Sequence, residues 1–227
     1  MHTFILKRFL YLLIITIIRN RISFLAFLEQ MEVFGVFSTQ DIYKAFPHFD
    51  SRRLVEWQAK NYLQKLSNKW YCFAKMEQSE FSQFRVANLL SKPSYISLES
   101  AFDYYGLIPE ATFSTTSVTT KKTSHFENVR GNFTYRSIKN SLFFGYKTLS
   151  TNQQPILMAE LEKAILDYLY LHSEIQTVAD MEALRFNTDV LAGIDLGKFT
   201  SYLSLFKSRA LEKRVQVFKQ TYHYAQL

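Results

Sequence analysis

Residues 50–71 read "DSRRLVEWQAKNYLQKLSNKWY". Asp50 or Ser51 stands where a helix N-cap is wanted, because a short side-chain oxygen accepts from the free N–H groups of a first turn. The helix so begun runs to about Lys60. Asn61 then falls at the left-handed position that follows many helices, a place usually taken by glycine. Two alternating runs come next, "YLQKL" and "WYCFA", joined by "SNK". Alternation sends successive side chains to opposite faces, so two such runs across a tight polar join predict a β-hairpin.

Upstream, Phe24, Leu25, Phe27, Leu28, Met31 and Phe34 recur at helical spacing within Ile22–Phe34, and Gly35 is a natural stop. In "FSTQDIYKAF", Ser38 or Thr39 caps a helix with Asp41 in its first turn, and Pro47 ends it. Three helices and a hairpin over residues 21–74 outline a winged helix-turn-helix.

At 100° per residue, Leu54, Val55, Trp57, Ala59 and Tyr62 fall on one broad side of the third helix. Arg52, Arg53, Glu56 and Lys60 take the opposite arc, and Gln58 breaks the pattern on the apolar side. If the outward arc enters a major groove, arginine donates twice to guanine and a carboxylate accepts from cytosine. Lys65 and Lys69 flank the hairpin turn and are placed for backbone phosphates, which hold register without reading sequence. The same spacing also makes Arg52–Glu56 and Glu56–Lys60 i,i+4 pairs, so a solvated ion-pair ladder is the competing reading.

The chain has 227 residues and a formal net charge of +7. Up to Ala74 there are ten Lys/Arg against five Asp/Glu, and beyond it seventeen against fifteen. A basic excess gathered in the first third suits an anionic partner, nucleic acid or membrane surface, or else is a plain basic surface. Cys72 is the only cysteine, so no disulfide framework is expected and a packed thiol is favoured over a nucleophile. That usage is consistent with cytoplasm.

Residues 1–20 form an apolar extension in which Phe9–Ile18 is flanked by Lys7, Arg8, Arg19 and Arg21. The run is short of the ~20 residues that span a bilayer, and "RNRISF" offers no small-residue cleavage site. A helix packed on the body, or sequence upstream of the true start, is favoured over a membrane anchor.

Residues 75–92, "KMEQSEFSQFRVANLLSK", read as a linking helix, with a boundary at Lys92-Pro93. Residues 93–227 open with "YISLESAFDYYGLIPE", a short helix ended by Gly106, and continue into β-branched and alternating runs that predict a small antiparallel sheet. "AELEKAILDYLYLH" is a helix, and further helices are expected over Leu196–Phe206 and Arg209–Tyr222. The fold class is α+β.

The run "YISLESAFDYYGLIPEATFSTTSVTTKKTSHFENVRGNFTYRSIKNSLFFGYK", from Tyr95 to Lys147, resembles the AbiEi family of antitoxins. These belong to type IV toxin–antitoxin systems of abortive phage infection and are also described as transcriptional regulators of viral defence. "LMAELEKAILDYLYLH" looks like the helix that follows the family's sheet, and "FGVFSTQDI … LVEWQAKNYLQKLSNKWYCFA" is similar to its winged-helix domain. The resemblance is most specific across "ISLESAFDYYGLIPE" and "SVTTKKT", and Asn61 stands where the family commonly has glycine.

The resemblance implies a cytoplasmic repressor that binds double-stranded DNA at inverted repeats in its own promoter. It further implies an antitoxin C-terminal domain that counters a nucleotidyltransferase toxin without a stable complex. Groove-facing residues would be Arg52, Arg53, Glu56 and Lys60, with Lys65 and Lys69 on the wing. Lys121 and Lys122, with Arg130 and Arg136, would form a second basic patch. The alternative is a membrane-tethered or protein-docking winged helix without operator-specific binding.

Catalysis is not expected. A nucleotidyltransferase needs a Gly-Ser turn and an Asp-x-Asp metal pair. None of the six glycines precedes serine, and no Asp-x-Asp occurs. The five histidines show no metal-ligand spacing, so neither metal nor other cofactor is expected. Glu160 and Lys163 form a lone E-x-x-K, which reads as a helix-surface pair.

Overall fold

A computed structural model describes residues 22–149 and 155–222. The chain forms two compact units that divide between Met76 and Glu77. The question of residues 1–20, packed helix or anchor, lies outside the described residues. So do four of the ten basic residues counted in the first third, Lys7, Arg8, Arg19 and Arg21.

In the first unit, helix α1 (Phe24–Met31) starts where Ser23 Oγ accepts from the Ala26 N–H at 3.1 Å. A 3-10 turn over Glu32–Phe34 and Gly35, at a positive φ of 64°, lead the chain into β1 (Val36–Ser38). Helix α2 (Thr39–Ala45) carries a full capping box: Ser38 Oγ accepts from the Asp41 N–H, and Asp41 accepts from the Ser38 N–H. Helix α3 (Arg52–Ala59) follows, and Asn61 takes the left-handed conformation expected of it. Strands β2 (Leu63–Ser67) and β3 (Trp70–Phe73) complete a three-stranded antiparallel sheet in the order β1-β3-β2.

Aromatic rings fill the space between α1, α3 and this sheet. Phe27 is fully buried, with ring centroids of Trp57, Phe37, Phe49, Phe46 and Phe73 between 4.6 and 6.0 Å away. Cys72 is fully buried on β3, a packed thiol.

The second unit begins with α4 (Glu80–Leu90). Far from merely linking two parts, α4 is embedded: Phe84, Val86, Ala87 and Leu89 are buried. The Tyr135 hydroxyl donates to the Ala87 carbonyl at 2.6 Å, and Asn88 Oδ1 accepts from the Leu157 N–H at 2.6 Å. Strand β4 (Ser94–Ile96), helix α5 (Glu99–Tyr105) and strands β5 (Ser114–Thr119), β6 (Ser124–Asn128) and β7 (Gly131–Ser137) come next. A 3-10 turn over Asn140–Leu142 leads to β8 (Tyr146–Leu149) and β9 (Ile156–Ala159). Five helices end the described chain: α6 (Leu161–Leu171), α7 (Val178–Glu182), α8 (Thr188–Leu191), α9 (Leu196–Phe206) and α10 (Arg209–Thr221).

The sheet is larger than expected and is not purely antiparallel. Six strands run in the order β6-β7-β5-β4-β9-β8, with β4 parallel to β9 and β5 parallel to β7. The adjacent inner strands β4 and β9 escaped the sequence reading for a physical reason. Each has only three or four residues and is mostly buried on both faces, so neither shows an alternating pattern. The chain is thus a mixed α/β protein with ten helices among the described residues. No described helix is long and apolar enough to cross a membrane.

Candidate nucleic-acid interface

Helix α3 meets the core through Leu54 and Trp57, which are 4% and 1% exposed. That places the buried centre of the helix between these two positions and moves its outward face away from the expected one. Val55, expected inside, is 69% exposed, and Ala59 is exposed as well. The outward face therefore consists of Arg52, Val55, Glu56, Ala59 and Lys60.

Arg53 does not lie on that face. Its side chain is 13% exposed, with the guanidinium carbon 4.9 Å from the Trp57 ring centre. Nη2 donates to the Ile22 carbonyl at 3.0 Å and Nη1 to Glu56 at 2.8 Å. A long stem lets the residue lie along apolar surface while its head stays hydrogen-bonded, so a periodicity that counts arginine as polar misplaces it. Arg53 ties α3 to the chain entering α1. Arg53→Ala is expected to cost the first unit about 1–2 kcal/mol in urea unfolding, from the lost hydrogen bonds and stacking. Arg52→Ala should leave the unfolding midpoint unchanged.

Arg52 is the opposite case: its side chain is 89% exposed. Asp50 accepts from its Nε at 3.0 Å and lies 2.9 Å from Nη2, and this hydrogen bond and charge hold the guanidinium above its ordinary pKa. Asp50 Oδ1 also accepts from the Arg52 N–H at 3.0 Å, so the capping oxygen belongs to Asp50 and not to Ser51. Glu56 bridges Arg53 and Lys60, the latter at 3.0 Å, which realises one rung of the expected ladder. The Arg52–Glu56 rung is replaced by Arg52–Asp50.

Lys65 and Lys69 are exposed on either side of the hairpin turn. Lys69 adopts a positive φ of 75°, and its carbonyl accepts from the Thr39 N–H at 2.9 Å, tying the turn to the start of α2. The hairpin is therefore braced against the helix that precedes α3.

The second basic patch does not assemble as four exposed cations. Lys121 and Lys122 are exposed beyond the end of β5. Arg130 is only 5% exposed and sits at the start of β7. Arg136 lies at the far end of that strand, half-buried, with Nη2 donating to the Leu171 carbonyl at 3.3 Å. Six residue steps along extended chain set the two arginines roughly 20 Å apart.

Glu160 and Lys163 are not a surface pair either. Glu160 accepts from Lys198 at 3.0 Å and from the Tyr202 hydroxyl, contacts that keep its carboxyl below the usual range despite partial burial. Lys163 is fully buried and engages Asp167 and Tyr95 instead. No cluster of three or more His, Cys, Asp and Glu suited to a metal occurs among the described residues. Sequence reasoning missed Val55, Ala59 and the Asp50 brace. Only the aspartate had a readable signal, its position two residues ahead of Arg52.

The chain matches no model of a known protein family, and no curated protein matches it.

Proposed function

We propose that the chain is a DNA-binding transcriptional autorepressor and the antitoxin of a type IV, abortive-infection system. In this reading residues 21–74 are a winged helix-turn-helix whose α3 enters the major groove of inverted repeats in its own promoter. Residues 93–227 counter a nucleotidyltransferase-type toxin without a stable complex, and the protein does no bond-making of its own. One observation carries the DNA-binding part. The order α1-β1-α2-α3-β2-β3 leaves the outward face of α3 exposed, with the Lys65 and Lys69 hairpin braced beside it. The antitoxin part rests on the likeness of "ISLESAFDYYGLIPE" and "SVTTKKT" to AbiEi proteins.

A gel-shift titration of the full chain on the DNA upstream of its reading frame tests the first part. Arg52→Ala should cut the preference for that DNA over a scrambled duplex by roughly tenfold or more, the worth of one bidentate base contact. Lys65→Ala should weaken both duplexes alike and lower the salt slope by about one. Equal binding of wild-type protein to native and scrambled duplex removes the operator reading. The second part is tested by co-expression with a nucleotidyltransferase encoded beside this gene, where growth must be rescued by the full chain.

A further inference from the structure

Asp50 grips only one edge of the Arg52 guanidinium. Its oxygens accept from Nε at 3.0 and 3.1 Å and lie 2.9 Å from Nη2. A planar guanidinium has a second fork, formed by Nη1 and the other proton of Nη2. Among the described residues that second fork makes no hydrogen bond or ion pair. The carboxylate thus occupies one edge and leaves a two-donor edge on a side chain that is 89% exposed, a pair of donors matched to O6 and N7 of guanine. One turn further along the helix, Val55 presents its methyl groups to solvent.

We propose that this face reads a guanine together with the 5-methyl group of a nearby thymine. Arg52, held by Asp50, donates both bonds to the guanine, and Val55 packs against the methyl. Asp50 is a positioning residue: it touches no base and acts by fixing the guanidinium before DNA arrives, so less side-chain freedom is lost on binding. Residues three apart on a helix stand about 5–6 Å from each other at Cβ. Base pairs rise about 3.4 Å, so the two bases lie one or two steps apart. Exposed Lys60, Lys65 and Lys69 supply the positive charge that a duplex, in preference to an apolar protein surface, would meet here. The inference rests on the duplex-binding reading above.

The full chain is used to select duplexes from a random library, and the selected site is then altered one atom group at a time. Deoxyuridine for thymine removes only the methyl, and 7-deazaguanine removes only N7. For wild-type protein the first change should weaken binding about fourfold, the worth of one buried methyl. The second should weaken it roughly tenfold. Val55→Ala should make the protein indifferent to the uracil, and because Val55 is exposed the variant keeps its fold.

Asp50→Ala should move two quantities in opposite directions. Binding to random duplex tightens, because a negative charge near the phosphates is gone. Discrimination against 7-deazaguanine falls about threefold to tenfold, because the guanidinium is no longer pre-set. A purely structural role for Asp50 would move both together or neither. If wild-type binding stays within about twofold on both altered duplexes, the base assignment is wrong while the duplex reading stands. If the full chain selects no sequence at all, the duplex reading fails and takes this inference with it.

Discussion

Asp167→Ala is expected to destabilise the second unit by about 3–5 kcal/mol, the usual cost of leaving one partner of a buried ion pair alone. For a unit of this size that lowers the thermal midpoint by on the order of 10 °C. Asp167 and Lys163 are both fully buried on α6 and pair with each other. The Tyr95 hydroxyl donates to Asp167 at 2.8 Å, and the Ser97 hydroxyl donates to it at 3.0 Å. Lys163 also donates to Tyr95 at 2.8 Å, and its ammonium lies 5.0 Å over Phe144 and 5.1 Å over Phe206. Burial pulls Lys163 below its ordinary pKa and pushes Asp167 above its own, while each partner's charge opposes the shift of the other. Removing the carboxylate leaves an ammonium and two hydroxyls in the interior, none of which reaches water. The joint change Lys163→Met with Asp167→Leu should cost far less than either single change, because no charge is then stranded. A double variant as unstable as Asp167→Ala alone would show that packing, not charge, sets the penalty.

Phe27→Ala is expected to cost the first unit about 3–5 kcal/mol, since a buried aromatic is lost and its cavity is lined by rings that cannot close in. A unit this small has little stability to spare. The loss reaches function: binding to selected and random duplex should fall together, because α3 is no longer held. Arg52→Ala, by contrast, should alter preference without loosening the unit. Hydrogen exchange separates the two cases. Peptides from residues 22–76 should lose protection in Phe27→Ala and keep it in Arg52→Ala. Full protection in Phe27→Ala would mean that the ring cluster is not what holds the first unit.

The two units differ in how much of them was legible. In the first, local signals were plentiful. Ser38 or Thr39 announced a cap, which Ser38 takes, Asn61 announced a left-handed residue, and "SNK" a turn between strands. In the second, the helices over Leu196–Phe206 and from Arg209 were equally plain, because caps and periodicity are local. The sheet was not. Its inner parallel pair, β4 and β9, joins Ile96 to Met158 across a long intervening stretch, and strands of three and four residues carry no period.

The amino-acid order alone determined that three helices precede the hairpin, where the hairpin turns and that the first third is basic. These follow from backbone sterics, capping chemistry and counting, which need no distant partner. Only the tertiary structure decided that Arg53 lies against Trp57 while Val55 faces water, that Lys163 is interior, and that Arg130 and Arg136 are kept apart. Those outcomes depend on what else packs against each residue. Burial is a property of the assembled chain, and an amphipathic side chain such as arginine or lysine takes whichever side its neighbours leave open.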